Sequence, residues 1–389
     1  MRLDSRAVHA GRELRARDPL APPIVQAAVY VYDDLDDYDA VADGREPGHV
    51  YARYSNDNTD MLAAAVAELE GAEDGVAAAS GMAAIYSALI AFAPKPAPIV
   101  VTADAYGVTL ALLNEEMAPL GYEVRIVDTD DLDAVAGALD GAALLLCETI
   151  TNPLCRVSDL EALCSLAGGR GVPVLVDNTF ASPVLCSPLA LGATAVVHSA
   201  TKYIGGHSDL LAGVLVGSRE AVGRARKRLT HTGATLGPFE AWLALRGLRT
   251  LHLRMLRHSD NAVRLARCLV DLAGVEAVHH PRLPGSPYEP IARRILPQGT
   301  GGMLAFELAG GRPAVQAMLS RFRLVRFAAS LAGAETTISY PAMTSHRDLT
   351  PEQRTARGVT AGTVRVSAGL EDPLDLIEDF QRSISSQRL

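Results

Sequence analysis

From about residue 60 to 220 the chain alternates helix-length segments with short apolar runs. The first segment, MLAAAVAELEGAED, reads as a helix closed by a glycine. The runs that follow are PIVVTAD (98–104), YEVRIVD (122–128), AALLLCET (142–149), VPVLVDN (172–178), ATAVVHS (193–199) and AGVLVG (212–217). Their aliphatic and β-branched positions are nearly continuous rather than alternating. That is the pattern of strands covered on both faces in a parallel sheet. Several runs end in a polar or acidic residue: Asp104, Glu148, Asp177 and Ser199. In open α/β sheets ligands bind beyond the carboxyl ends of the strands, so these ends mark where a site is expected. The uncharged stretch from Val76 to Pro94 nearly reaches membrane-spanning length. Alanine dominates it, and with Ser80, Gly81, Tyr86 and Ser87 inside, it reads as a buried loop and helix.

After Gly237-Pro238 a long helical stretch, FEAWLALRGLRTLHLRMLRHSDNAVRLARCLVDL, reads as the link into a second, smaller α+β unit. That unit holds MLAFEL (303–308), a helix near 312–320, TVRVSAGL (363–370) and a final helix. The first 50 residues are mixed, with PPIVQ and the acidic run DDLDDYDA, and are expected to form an arm. The division expected from the pattern is therefore an arm over 1–50, a large domain over 51–245 and a C-terminal domain over 246–389.

Composition narrows the class. With 389 residues and 49% hydrophobic content, the chain exceeds the size at which one core keeps growing. A net charge of -9 argues against nucleic acid or an anionic membrane as partner. Five cysteines without a C-x-x-C pair argue against a zinc site or disulfide framework and fit a reducing compartment. The charged start, MRLDSRAVHAGRELRARD, lacks the apolar centre of a signal peptide. A soluble cytoplasmic protein is expected, with no metal.

Candidate chemistry centres on HSATKYIGGHSD (198–209), where an apolar run is followed by two hydroxyls and then Lys202. SGM (80–82) stands at the head of a helix-like segment, where small residues let backbone N–H groups and the helix dipole hold a phosphate. Ser199 and Thr201 add hydroxyls for the same anion. Asp177 ends an apolar run, so its carboxylate needs a cation or donors. Tyr106, after another strand end, offers a ring to stack on a flat cofactor. Taken singly, these are a loop lysine, a turn aspartate and a loop tyrosine. Together they suggest pyridoxal 5'-phosphate (PLP), with a Schiff-base lysine, a ring-nitrogen partner, a stacking ring and a phosphate cradle.

These segments, with VYARYSN (50–56), CETITNP (147–153), SLAGAE (330–335), PAMTSH (341–346) and VRVSAGLED (364–372), resemble the PLP enzymes of cysteine and methionine trans-sulfuration nearly end to end. That family includes cystathionine γ-synthase, cystathionine γ-lyase and methionine γ-lyase. The resemblance implies an α/β fold of fold type I, aspartate aminotransferase-like, with a mostly parallel central sheet and a smaller α+β C-terminal domain. It implies that Lys202 carries the cofactor, Asp177 partners the ring nitrogen and Tyr106 stacks on the ring and serves as acid. Gly81, Met82, Ser199 and Thr201 would hold the phosphate. Tyr51 and Arg53 would reach that phosphate from a neighbouring subunit, in a homotetramer built as a dimer of dimers. Arg365, Ser330 and Asn152 would bind the substrate carboxylate.

The chain departs from the family pattern in several places. N-P-T reads Asn56-Asp57-Asn58-Thr59, SLG reads Ser330-Leu331-Ala332, and Val108 stands where many methionine γ-lyases have cysteine. Cystathionine-handling γ-lyases carry glutamates at the positions of Val50 and Ala329. Their absence favours a small apolar γ-substituent such as that of methionine. The alternatives are a cystathionine γ-lyase or γ-synthase, an O-acylhomoserine sulfhydrylase, or a non-catalytic cofactor-binding protein on the same scaffold.

Overall fold

The structure is a computed structural model and describes residues 1–11, 18–347 and 349–385. Its larger sheet contains β1 (Asp74–Ala78), β2 (Ile99–Thr102), β3 (Val124–Val127), β4 (Leu144–Glu148), β5 (Val174–Asp177), β6 (Ala195–His198) and β7 (Gly213–Gly217). They lie in the order β1-β7-β6-β5-β4-β2-β3. From β6 across to β3 all neighbours are parallel. Alternate side chains of these strands feed two cores. Val100, Leu145, Val174 and Val196 face one, with helices Asp57–Glu70 and Pro238–Leu248. Ile99, Leu144, Leu175 and Ala195 face the other, with helices Gly81–Phe92 and Arg219–Thr232. Burial on both faces is why the runs read as continuous apolar segments.

Two expectations need correction. AGVLVG was expected in a parallel ladder, but β7 is antiparallel to both its neighbours, β1 and β6. The connection from β6 to β7 holds no crossover helix, and without one the chain returns antiparallel. The stretch after Val76 begins as strand β1 rather than as a loop, because its alanines and valine pair along β7.

Helix Asp57–Glu70 ends at Gly71 with φ 77°, the left-handed cap that glycine takes without strain. The long helical stretch after residue 237 is two helices, Pro238–Leu248 and Leu251–Val270, separated at Arg249-Thr250. A second sheet, in the order β10-β11-β12-β9-β8, contains β8 (Val275–His279), β9 (Met303–Leu308), β10 (Arg326–Phe327), β11 (Thr337–Ser339) and β12 (Thr363–Ser367). Helices Leu251–Val270, Gly311–Leu319 and Pro373–Ser385 pack on it around Leu304, Phe306, Val364 and Phe380. Among the described residues, no helix is long and apolar enough to cross a membrane.

Candidate active site

The carboxyl ends of β4, β5 and β6, the start of helix Gly81–Phe92 and Arg365 in the middle of β12 converge on one cavity of about 240 Å³. Lys202 lies on its wall. The residue follows β6 in a turn whose main chain is fastened from behind by Arg254. This buried guanidinium donates to the carbonyls of Tyr203 at 2.6 Å and Gly247 at 2.7 Å. The Lys202 ammonium donates to Ser330 Oγ at 3.2 Å. Burial, and next the Arg365 charge, lower its pKa from the ordinary lysine value. A lysine in that position releases its proton more readily than one in water.

Ser80 caps helix Gly81–Phe92, its hydroxyl accepting the Ala83 N–H at 3.1 Å. The first-turn N–H groups of Gly81 and Met82 have no acceptor within the helix and point out of its start. A Cβ built on Gly81 would lie 2.8 Å from Ser199 Cβ. Only glycine lets the helix start come this close to the strand end, and this contact shapes the cradle. Thr201 differs from the sequence expectation in one respect. Its hydroxyl donates to the Ala212 carbonyl at 3.2 Å and accepts the Ala212 N–H at 3.0 Å.

Asp177 is enclosed at the end of β5, where Oδ1 accepts the Thr179 N–H at 3.0 Å. Burial raises its pKa, while the Thr179 donors and His198 work against that rise. Tyr106 opens the short helix Gly107–Ala111 and is 40% exposed. It borders both this cavity and an outer one of about 540 Å³. Arg365, on β12, is 5% exposed. It donates through Nη1 to Asn152 Oδ1 at 3.1 Å and through Nη2 to the Ser330 carbonyl at 3.1 Å. Its Nε has no hydrogen-bond partner among the described residues. Burial lowers its pKa to about 10, so it stays charged at neutral pH.

Ala332, in place of the family's glycine, takes φ 69° and donates its N–H to Ser367 Oγ at 2.8 Å. A side chain in that left-handed region is strained by roughly 1–2 kcal/mol. Asn56, in the altered N-P-T segment, caps helix Asp57–Glu70. Tyr51 and Arg53 do not line their own chain's cavity. Arg53 donates to the Thr230 carbonyl at 2.8 Å and lies over the rings of Tyr51 and Tyr54. Thr179 and Glu148, polar residues of the cavity, were given no role from sequence. Thr179 supports Asp177, and its spacing two positions after that aspartate was the available signal. Glu148 was seen only as a strand end.

The family model for Cys/Met metabolism PLP-dependent enzymes matches residues 4–385. An L-methionine gamma-lyase of Pseudomonas putida is 39% identical over 98% of this chain and 97% of its own. An O-succinylhomoserine sulfhydrylase of Pseudomonas aeruginosa is 36% identical over 98% of this chain and 95% of its own. A solved cystathionine gamma synthase of Xanthomonas oryzae, in complex with cystathionine, superposes with a TM-score of 0.93 at 37% identity, covering 99% of this chain and 98% of that one. The residues present suit the cofactor of that family: a desolvated lysine, a half-buried carboxylate at the end of β5 and a helix start with no room for a Cβ at Gly81. On this match of sequence, fold and site, the chain belongs to the PLP-dependent enzymes of cysteine and methionine metabolism.

Proposed function

We propose that the enzyme catalyses γ-elimination from L-methionine, consuming one water and giving 2-oxobutanoate, ammonia and methanethiol. The observation that carries this reading is Ala329, which borders both cavities where the γ-substituent must extend and brings no charge there. Val50, at the other position named above, is equally without charge. When bound, pyridoxal phosphate supplies an electron-withdrawing ring that stabilises negative charge at the substrate α-carbon. The chain's own groups do the rest. Arg365 holds the substrate carboxylate through its fork, braced by Asn152. Lys202, its pKa lowered by burial, takes the α-proton and, once it has released that proton, accepts a β-proton in turn. Tyr106 gives its hydroxyl proton to the departing sulfur. Asp177 keeps a negative charge at the cavity floor, where a protonated ring nitrogen needs a partner.

Methionine is expected to be turned over more efficiently than cystathionine. The far ammonium of cystathionine meets no carboxylate at position 50 or 329, and an unmatched polar group costs about 1–3 kcal/mol. That is roughly 5- to 150-fold in kcat/KM. The measurement is 2-oxo acid formation from each substrate under identical conditions. A preference for cystathionine of about tenfold or more would sink the methionine reading.

One observation favours a second reading. Arg357 lines the outer cavity, as does His346, whose pKa is lowered to about 4 by burial and then by Arg357, Arg354 and Arg365. A cationic vestibule suits a γ-substituent ending in a carboxylate, as in O-succinylhomoserine, although Glu115 on the same cavity opposes it. Consumption of O-succinylhomoserine only when a thiol is added, with methionine inert, would establish that sulfhydrylase reading instead.

The reading extends to a site shared between subunits, in a dimer of dimers. Tyr51 and Arg53 then serve the cofactor phosphate of a neighbour. The exposed arm residues Val29, Val31 and Leu35 agree with a covering chain. Mixing inactive Arg53→Ala and Lys202→Ala subunits should restore part of the wild-type activity, because one site of each hybrid dimer keeps both residues. No recovery in hybrids verified by mass would count against sharing.

A further inference from the structure

Two carboxyl groups meet at the cavity, and the chemistry above uses one of them. Glu148 ends β4, Asp177 ends β5, and the two are register partners in the parallel ladder. Leu146 and Leu175, two positions before each, face the same core, so both carboxyls leave the same face of the sheet. Neighbouring strands run about 4.8 Å apart, so the two side chains leave the sheet side by side, and a like charge beside a carboxyl disfavours its ionised form. Their surroundings are unequal. Asp177 has the Thr179 N–H, with His198 favouring its charge. Among the described residues the Glu148 carboxyl has one hydrogen-bond donor, the Tyr106 N–H at 2.6 Å on Oε1.

Burial first and Asp177 second push the Glu148 carboxyl well above the usual range. Asp104 adds to the rise, and the Tyr106 N–H opposes it. Two cations border the same cavity, but Lys202 is turned to Ser330 and Arg365 to Asn152. Such a divergence between paired carboxyls separates a charged partner from a neutral one.

We propose that Glu148 is a positioning residue of this enzyme, standing in the cavity wall as a neutral carboxylic acid that anchors the Tyr106 main chain and leaves the negative charge to Asp177. The inference rests on the roles given above to Asp177 and Tyr106. Tyr106 is 40% exposed, so the place of its ring beside the cavity depends largely on its main chain. Glu148 holds that main chain at the first residue of the turn into helix Gly107–Ala111. An ionised Glu148 would add a second negative charge where the substrate carboxylate enters. A neutral one adds none.

The sign of the pH effect follows. A folded-state pKa raised above the ordinary glutamate value means that the folded chain binds more protons than the unfolded one. The difference lies between about pH 4.3 and the raised value, and there stability falls as pH rises. Glu148→Gln keeps a carbonyl for the Tyr106 N–H and removes the titration. In the cofactor-free protein, the Tm of Glu148→Gln minus that of wild type should therefore grow by about 2 °C or more between about pH 5.5 and 8.5.

In the loaded protein near neutral pH, absorbance titration should give Glu148→Gln a Kd for pyridoxal phosphate within about threefold of wild type. Glu148→Ala, which leaves the Tyr106 N–H unpaired, should bind about tenfold more weakly or worse. Equal weakening by glutamine and alanine would show that the charge is needed and overturn the proposal. A Tm difference that stays flat with pH would overturn it as well. Failure of the wild-type protein to take up pyridoxal phosphate would strike the functional reading itself, whereas the cofactor-free Tm comparison decides the protonation independently.

Discussion

Lys202→Ala is expected to lower turnover by roughly 10³-fold or more, since the positioned general base and the covalent anchor vanish together. The lysine is the sole amine on the cavity wall among the described residues, with Nζ 3.2 Å from Ser330 Oγ. Burial and the Arg365 charge favour its neutral form, the form that attacks a carbonyl and accepts a proton. Arginine at 202 should not rescue, because a guanidinium does not give up its proton in proteins. Borohydride treatment followed by mass analysis provides the second readout. Wild-type protein should acquire a fixed pyridoxyl group, and the alanine variant should not. A variant that kept near-wild-type rate and still formed a reducible bond would refute the placement of Lys202.

Arg365→Lys should reduce kcat/KM by about 10²-fold, mostly by raising KM. The native fork makes two hydrogen bonds within the protein, to Asn152 and to the Ser330 carbonyl, and keeps Nε without a partner in the buried wall. Lysine offers a point charge with no fork, so it cannot brace both neighbours and meet a carboxylate in one plane. The loss of a charged hydrogen bond, with an acceptor left buried, amounts to about 2–3 kcal/mol, or roughly 30- to 150-fold. Carboxylate binding is made equally in the ground and transition states, so kcat should change by less than about tenfold. A kcat/KM within about threefold of wild type would remove Arg365 from the substrate-binding role.

Much of the layout was legible along the chain because the relevant signals are local. Runs buried on both faces are continuously apolar, and β2 and β4 to β7 stood out for that reason, whereas the edge strand β3 is half-exposed and carries Arg125 in its middle. The cap of helix Asp57–Glu70 was readable at Gly71, where the backbone demands a left-handed residue. The segment around Lys202 was readable because a strand end, two hydroxyls and a lysine fall within a few positions. β1 was less visible, since an alanine-rich strand beside an alanine-rich helix has no periodicity to separate them. The direction of β7 was not visible at all. Its apolar run suits either ladder, and only the missing crossover helix decides.

By itself, then, the sequence determined most strands of the larger sheet, the fold class and the chemical types at the strand ends, because each depends on neighbours a few residues away. Tertiary structure decided which of those groups meet. Asn152 and Arg365 are 213 positions apart and become hydrogen-bond partners because β12 of the second sheet and the segment after β4 border the same cavity. Glu148 became a companion of Asp177 only through the register of two parallel strands, and Tyr51 and Arg53 were set apart from their own cavity by the course of the arm. No spacing along the chain encodes such meetings. They follow from packing long-range elements against one another, and the charges and pKa shifts of the cavity exist only once that packing has removed water from it.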